Sequence, residues 1–383
     1  MACKHVLAKY YDDFTVFGKT QSFRELVMQD NDNIVLEERK IGFTGNVNFV
    51  PYYTNSSWNA MDDAFYFFTM PCDDVTPTLC IYHVDTDTSE RLFDLEFFKF
   101  QKGAMDLFPA AILPNSGLMI YGNDERIAVA DLKTGRQEIK ITLEKKHIHG
   151  CCISPDERYL CYGDSDDYAV TDIHIVDTMD VEWKNVAVKT VGMHANHFQF
   201  FPNGDEILFA HEGTTEKIPD RLNLLNWKTG ETRCLHRHIF DDSGHQIECI
   251  GHEQVAGDKV LAVRYPVSQM DFGIIVVDPK TASCELVDQG DYWHASSDKN
   301  GDQFVMDTMW WGNSRRRTGG LFDITLFDMK ERKRFVLKTF EAGSINNQMY
   351  HPHPHFDGTG KKILYSVHPK GTEECHLELL LLK

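Results

Sequence analysis

The sequence predicts an all-β fold, one seven-bladed β-propeller spanning residues 1–383 as a single domain. Two repeated signals predict it. The first is an apolar segment ending in Asp or Asn, often followed by Lys-Thr-Gly, at residues 80–85, 127–135, 173–177, 222–230, 274–281 and 325–328. The steps between the terminal Asp or Asn residues are 46, 46, 49, 52 and 50, and residues 377–382 supply a seventh copy. The second is a turn followed by an apolar run, at residues 114–120, 154–160, 202–209, 300–301 and 357–364. Asn-Gly and similar turns between β-rich runs read as hairpins. A four-stranded unit recurring every ~45 residues is the signature of propeller blades. A two-sheet sandwich or a β-helix fits this hairpin spacing poorly. Residues 33–37 read as an outer strand that closes the ring with the last blade.

Composition narrows the setting. Apolar residues make up 42% of the chain, with 25 Phe and 14 Tyr, enough for a large core. No run of eighteen apolar residues occurs and charge interrupts the N-terminal residues early, so neither a membrane span nor a secretory leader is expected. The ten cysteines show no Cys-x-x-Cys spacing, which fits reduced thiols and a cytoplasmic setting. A formal charge of −19 argues against nucleic acid as a partner. A small anionic substrate would need local positive charge, from a metal or a few arginines.

Chemistry must come from the channel mouth, because a propeller by itself specifies no function. Near the C-terminus, Gln348 precedes a His351-Pro352-His353-Pro354-His355 string. In an extended strand alternate side chains share a face, so the three histidines would point the same way. Proline favours extended geometry before it and cannot donate to a ladder, which places this strand against an unpaired edge such as the channel. Two imidazoles from one strand form half of a metal site, the plainer alternative being a His-rich surface loop. Further histidines fall near blade starts: His294 in the sixth, His252 in the fifth, His194 and His197 in the fourth, which continues to His211. Each alone is more often a core or surface residue; their recurrence at equivalent blade positions is the signal.

The 348–354 string, followed by Phe356 and a Gly-Lys-Lys-Ile-Leu turn and strand, resembles the C-terminal motif of oligogalacturonate lyases, which are seven-bladed propellers. His211-Glu212-Gly213 with Asp220-Arg221-Leu222, and Gly251-His252-Glu253, are similar to that family's active-site segments. The resemblance covers roughly residues 196–367 and departs from the pattern at Gln254-Val255 and at His355. It implies that Gln348, His351, His353 and His294 bind a divalent metal, usually manganese. Their N/O donor set is also compatible with Fe, Co, Ni or Zn. It further implies β-elimination in a short, anionic uronate oligosaccharide, with His252 as the base that removes the C5 proton and Arg221 gripping the carboxylate. His197, His211, Tyr350 and Arg315 are candidate substrate contacts, and water or a tyrosine such as Tyr350 is left to protonate the leaving oxygen. Arg315 belongs to an Arg-Arg-Arg run after Trp310-Trp311, which reads more readily as a solvated loop.

A non-catalytic propeller that binds sugar or protein partners is the alternative, although it has no need of a metal quartet. A serine-peptidase propeller would require a hydrolase domain and a Gly-x-Ser-x-Gly elbow, and the chain has neither. The oligomeric state is open, a dimer included.

Overall fold

The computed structural model describes residues 34–100, 110–213, 218–266, 268–308, 319–344 and 348–383. They form seven antiparallel four-stranded sheets arranged as a ring, with no α-helix among them. Blades 1 to 6 each take four consecutive strands, with first (innermost) strands at Asn46–Phe49, Ala110–Leu113, His147–Ile153, Ala195–Phe200, Ile250–Ala256 and Tyr292–Ser297. Blade 7 takes His355–Phe356, Lys362–Val367 and His376–Leu382 from the C-terminus and Val35–Ile41 from the N-terminus as its outermost strand. Val35–Ile41 thus completes the last blade by pairing with His376–Leu382.

Each repeated signal has a place in the blade. The apolar segments are the third strands, such as Arg126–Asp131 and Leu222–Asn226. The Asp or Asn that ends them shapes the turn into the fourth strand. Asp131 Oδ1 accepts from the Lys133 and Thr134 N–H groups, and Asp278 Oδ1 does the same for Lys280 and Thr281. A carboxylate accepting from backbone two and three residues on is the Asx geometry that makes Asp and Asn turn formers. The Asn-Gly type signals are the hairpins between first and second strands, as at residues 202–205.

Alternation along the strands builds the core. Successive side chains point to opposite faces, so each blade packs against both neighbours. Ile207 and Phe209 join the cluster between blades 3 and 4, whereas Leu208 joins the one between blades 4 and 5. Seven such clusters run around the ring, and the one formed by Phe65, Phe67, Leu377 and Leu379 joins blade 1 to blade 7. Burying each large apolar side chain is worth about 1.5–3 kcal/mol, and the clusters hold the first strands around one channel.

The 348–356 segment departs from the expected extended strand. Gln348–Tyr350 is a 3-10 turn, His353 has φ of 42°, and strand geometry begins only at His355–Phe356. Pro352 and Pro354 offer no N–H to a ladder, and the left-handed His353 breaks the two-residue alternation. Ahead of the short His355–Phe356 pairing, the Ser366 N–H of the next strand donates to the Pro352 carbonyl. The three histidines consequently do not share a face. His355 turns toward blade 1, its Nε2 3.3 Å from Ser57 Oγ. No helix among the described residues is long and apolar enough to cross a membrane.

Candidate metal centre

The first strands of blades 3 to 6 each carry one extra residue relative to their partner strand. Register shifts lie between Ile148 and Cys151, Asn196 and Gln199, Gly251 and Gln254, and Tyr292 and His294. Such β-bulges bend a strand and re-aim side chains, and they favour a left-handed residue. His197 and His252 occupy that position with φ of 55° and 50°. A non-glycine residue held there is strained, a cost of order 1–3 kcal/mol that persists where the surroundings over-determine it.

The bulges and the His353 turn bring His252, His294 and His353 together, with one ring nitrogen from each inside 4.8 Å of the others. Ring centroids are 4.8 Å apart for His252 and His294, 3.9 Å for His294 and His353, and 5.3 Å for His252 and His353. His351 stands one step behind, 5.2 Å from His294 and packed on Trp293 at 4.1 Å. Gln348 Oε1 lies 3.2 Å from His353 Nε2, a separation that serves a hydrogen bond or two donors facing one cation.

The donors suit a divalent ion. His294 Nδ1 is 2.6 Å from Asp307 Oδ2, and its backbone N–H donates to Oδ1 at 2.9 Å. A carboxylate at Nδ1 fixes the tautomer and turns the Nε2 lone pair outward, the usual support of a metal-bound histidine. Burial pushes Asp307 up to about 7, against the pull of the His294 backbone hydrogen bond and the His353 ring. Burial, and then the neighbouring imidazoles, hold His252 and His353 well below the usual histidine range, so both rings are neutral and keep a lone pair. The buried Nδ1 of His353 has no hydrogen-bond partner, and the His252 ring makes none within the described residues. Neutral imidazoles and an amide oxygen without thiolate suit a borderline divalent cation.

Beside this cluster lies a charged one. Arg221, 8% exposed, donates through Nε and Nη2 to Glu253 at 3.3 and 3.1 Å, and its Nη1 reaches Glu212 at 2.7 Å. Burial opposes the Glu253 charge, but the guanidinium and His197 outweigh it and hold the carboxyl at about 2. Arg221 is thus fully engaged, and a substrate carboxylate reaches it only by displacing Glu212, the more exposed of its two partners. His197 Nδ1 sits 2.6 Å from Glu253 Oε1.

The remaining sequence candidates lie apart. His211 pairs with Asp220 at 2.8 Å. Tyr350 stacks on His368 at 4.0 Å and donates to the Glu373 carbonyl, away from the imidazoles. Arg315 falls outside the described residues. Sequence reasoning did not single out Tyr53, whose ring stacks on His252 with centroids 3.8 Å apart. It also left Glu253 and Asp307 without roles. A Tyr52-Tyr53 pair in an otherwise polar loop of blade 1 was the available sign for Tyr53.

No family model and no curated protein matches the chain in sequence. Its fold is similar to that of an oligogalacturonate lyase in complex with manganese, at a TM-score of 0.71 and 15% identity, over 92% of this chain and 97% of that one. An oligogalacturonate lyase from Vibrio parahaemolyticus gives a TM-score of 0.70 at 15% identity, over 91% and 97% of the two chains. The structure of U3-55K gives 0.55 at 11% identity, over 90% and 98%. The chain thus has the seven-bladed propeller architecture of the oligogalacturonate lyase structures, over nearly the full length of both.

Proposed function

We propose that this chain is a metal-dependent lyase that cleaves short uronate oligosaccharides by β-elimination. The observation that carries the reading is the convergence of His252, His294 and His353, with Gln348 and His351 beside them, at the mouth of a propeller whose fold matches a manganese-containing oligogalacturonate lyase. His294, His353, Gln348 and His351 would hold the ion. When bound it supplies Lewis-acid stabilisation of the charge that builds on the substrate carboxylate as the C5 proton leaves.

The chain's own groups would do the rest. His252 is neutral, its ring makes no hydrogen bond among the described residues, and it can take the C5 proton, a contribution of typically about 10²–10⁴-fold. Arg221 keeps a fixed positive charge close by, held between Glu253 and Glu212. The first strands of blades 5 and 6 carry His252 and His294, and the segment leading into blade 7 carries Gln348, His351 and His353 beside them, an arrangement that favours pre-positioned groups. A purely binding propeller leaves this buried cluster of neutral imidazoles without a purpose.

The test is turnover by manganese-loaded protein of saturated and unsaturated digalacturonate, followed through the absorbance of the unsaturated product and through reducing ends. Formation of both signals supports the reading. No turnover across several uronate disaccharides, with manganese fully bound, would sink it.

A further inference from the structure

β-Elimination needs a second proton transfer, to the glycosidic oxygen that departs from C4. Tyr53 is placed to make it. The residue lies in the connection after the first strand of blade 1 (Asn46–Phe49) and is 6% exposed. Its ring stacks on His252 at 3.8 Å and lies nearly parallel to His353, 6.0 Å away. It therefore covers the two imidazoles on which the elimination would centre, and with Tyr52, Gln348, His351 and His353 it lines the cavity there.

The hydrogen bonding around its hydroxyl assigns the proton. Tyr53 Oη is 3.1 Å from His197 Nδ1, and Glu253 Oε1 is 2.6 Å from the same nitrogen. Arg221 Nη2 donates to both Glu253 oxygens at 3.1 Å and keeps the carboxylate ionised, so Glu253 can only accept, and Nδ1 must carry the proton. A protonated Nδ1 cannot accept from the phenol. Tyr53 oxygen is then an acceptor on that side, and its own O–H is directed elsewhere. A phenol ordinarily titrates near 10, so the proton is present at neutral pH. The strained φ of 55° at His197 is part of what fixes this arrangement.

We propose that Tyr53 is the catalytic proton donor to the departing glycosidic oxygen, with His197 and Glu253 as the pair that positions its hydroxyl. The proposal rests on the lyase reading above. In the step, the C5–H bond breaks and its proton passes to the base. Its electron pair forms the C4–C5 double bond while the C4–O bond breaks. The pair on the glycosidic oxygen takes the Tyr53 proton, leaving a phenolate that the His197 Nδ1–H stabilises. Solvent then returns a proton to Tyr53 and removes one from the base, so no water is consumed.

The experiment compares wild type with Tyr53→Phe, each loaded with manganese, on digalacturonate and on a galacturonide carrying 4-nitrophenoxide at C4. The phenoxide is a good leaving group that needs no proton. On digalacturonate, Tyr53→Phe is expected to lose about 10²-fold or more in kcat, with KM changed only a few-fold and with manganese content and circular dichroism unaltered. On the aryl substrate the loss should shrink to less than about tenfold. His197→Gln should give the same leaving-group pattern with a smaller loss. An equal loss on both substrates, or wild-type kcat on digalacturonate, would overturn the proton-donor role. Absence of turnover by wild type on either substrate overturns the lyase reading itself, a separate outcome.

Discussion

Three histidines around the channel, His197, His252 and His353, hold left-handed backbone, with φ of 55°, 50° and 42°. The equivalent bulge in blade 3 carries Gly150 at φ of 98°, the residue that adopts such geometry without cost. In blades 4 and 5 the left-handed residue is a histidine one place earlier in the bulge, a non-glycine residue that carries strain, and strain of this kind is concentrated at functional sites. The His294–Asp307 pair is the part of the cluster easiest to probe. His294→Ala should abolish manganese binding in equilibrium dialysis, and Asp307→Asn should weaken it about 10–100-fold by freeing the ring's tautomer and orientation. Unchanged affinity in both variants would remove His294 from the ligand set. The histidines were legible because their interleaved prolines and blade-start positions are local patterns. Their partners were not. Asp307, Glu253 and Tyr53 are ordinary residues that lie 13, 56 and 144 positions from the histidines they contact, and nothing in a single sequence links such pairs.

At the scale of the element, the third strands and their Asx turns were legible, since each is a contiguous apolar run closed by a hydrogen-bonding Asp or Asn. The bulges were not, because one extra residue leaves the two-residue alternation intact on either side, and in blades 4 and 5 the left-handed position is filled by histidine rather than glycine. For the same reason the string from His351 to His355 read as a straight strand, although the left-handed His353 divides it. Blade contacts also rest on charge. His236, at the end of the outermost strand of blade 4 (Glu231–His236), lies 2.9 Å from Glu248, which Arg264 of blade 5 contacts at 2.7 Å. Burial works against a charged His236 ring, but the Cys284 sulfur and the Glu248 carboxylate outweigh it and raise the imidazole to about 9. A histidine whose pKa is raised on folding stabilises the folded state fully below its unfolded value, near 6.5, and loses that contribution as pH climbs through 9. This residue's contribution to unfolding free energy, read from urea titrations as the difference between wild type and His236→Gln, should therefore fall between pH 6 and pH 9.5, by at most about 3 kcal/mol. His236→Gln should flatten that part of the profile, and an identical slope in the variant would show that the ion pair does not couple the blades.

For the whole molecule, stability turns on how the ring is closed. Each blade is a small sheet that cannot bury both faces alone, so the clusters between blades are cooperative only if the circle has no open end. Val35–Ile41 supplies that closure through six residue pairs with His376–Leu382. It also reaches both neighbouring blades. Glu38 pairs with Lys338 of blade 6, and Arg39 donates to the Val84 carbonyl and to Tyr82 of blade 1. Ile41, 3% exposed, packs among Phe65, Phe67, Leu377 and Leu379. Ile41→Ala should cost about 2–4 kcal/mol, the range for a large-to-small change in a packed core. Removal of residues 1–41 should cost more, since it strips the backbone ladder as well, at about 1 kcal/mol net for each bond lost. Blade 7 carries Gln348, His351 and His353, so loosening it should weaken manganese binding in step with stability. Urea midpoints and manganese dialysis on the two variants measure both quantities. A midpoint that stays at the wild-type value in the truncated chain would mean that the last blade holds its place with three strands, and that the ring does not depend on its terminal clasp.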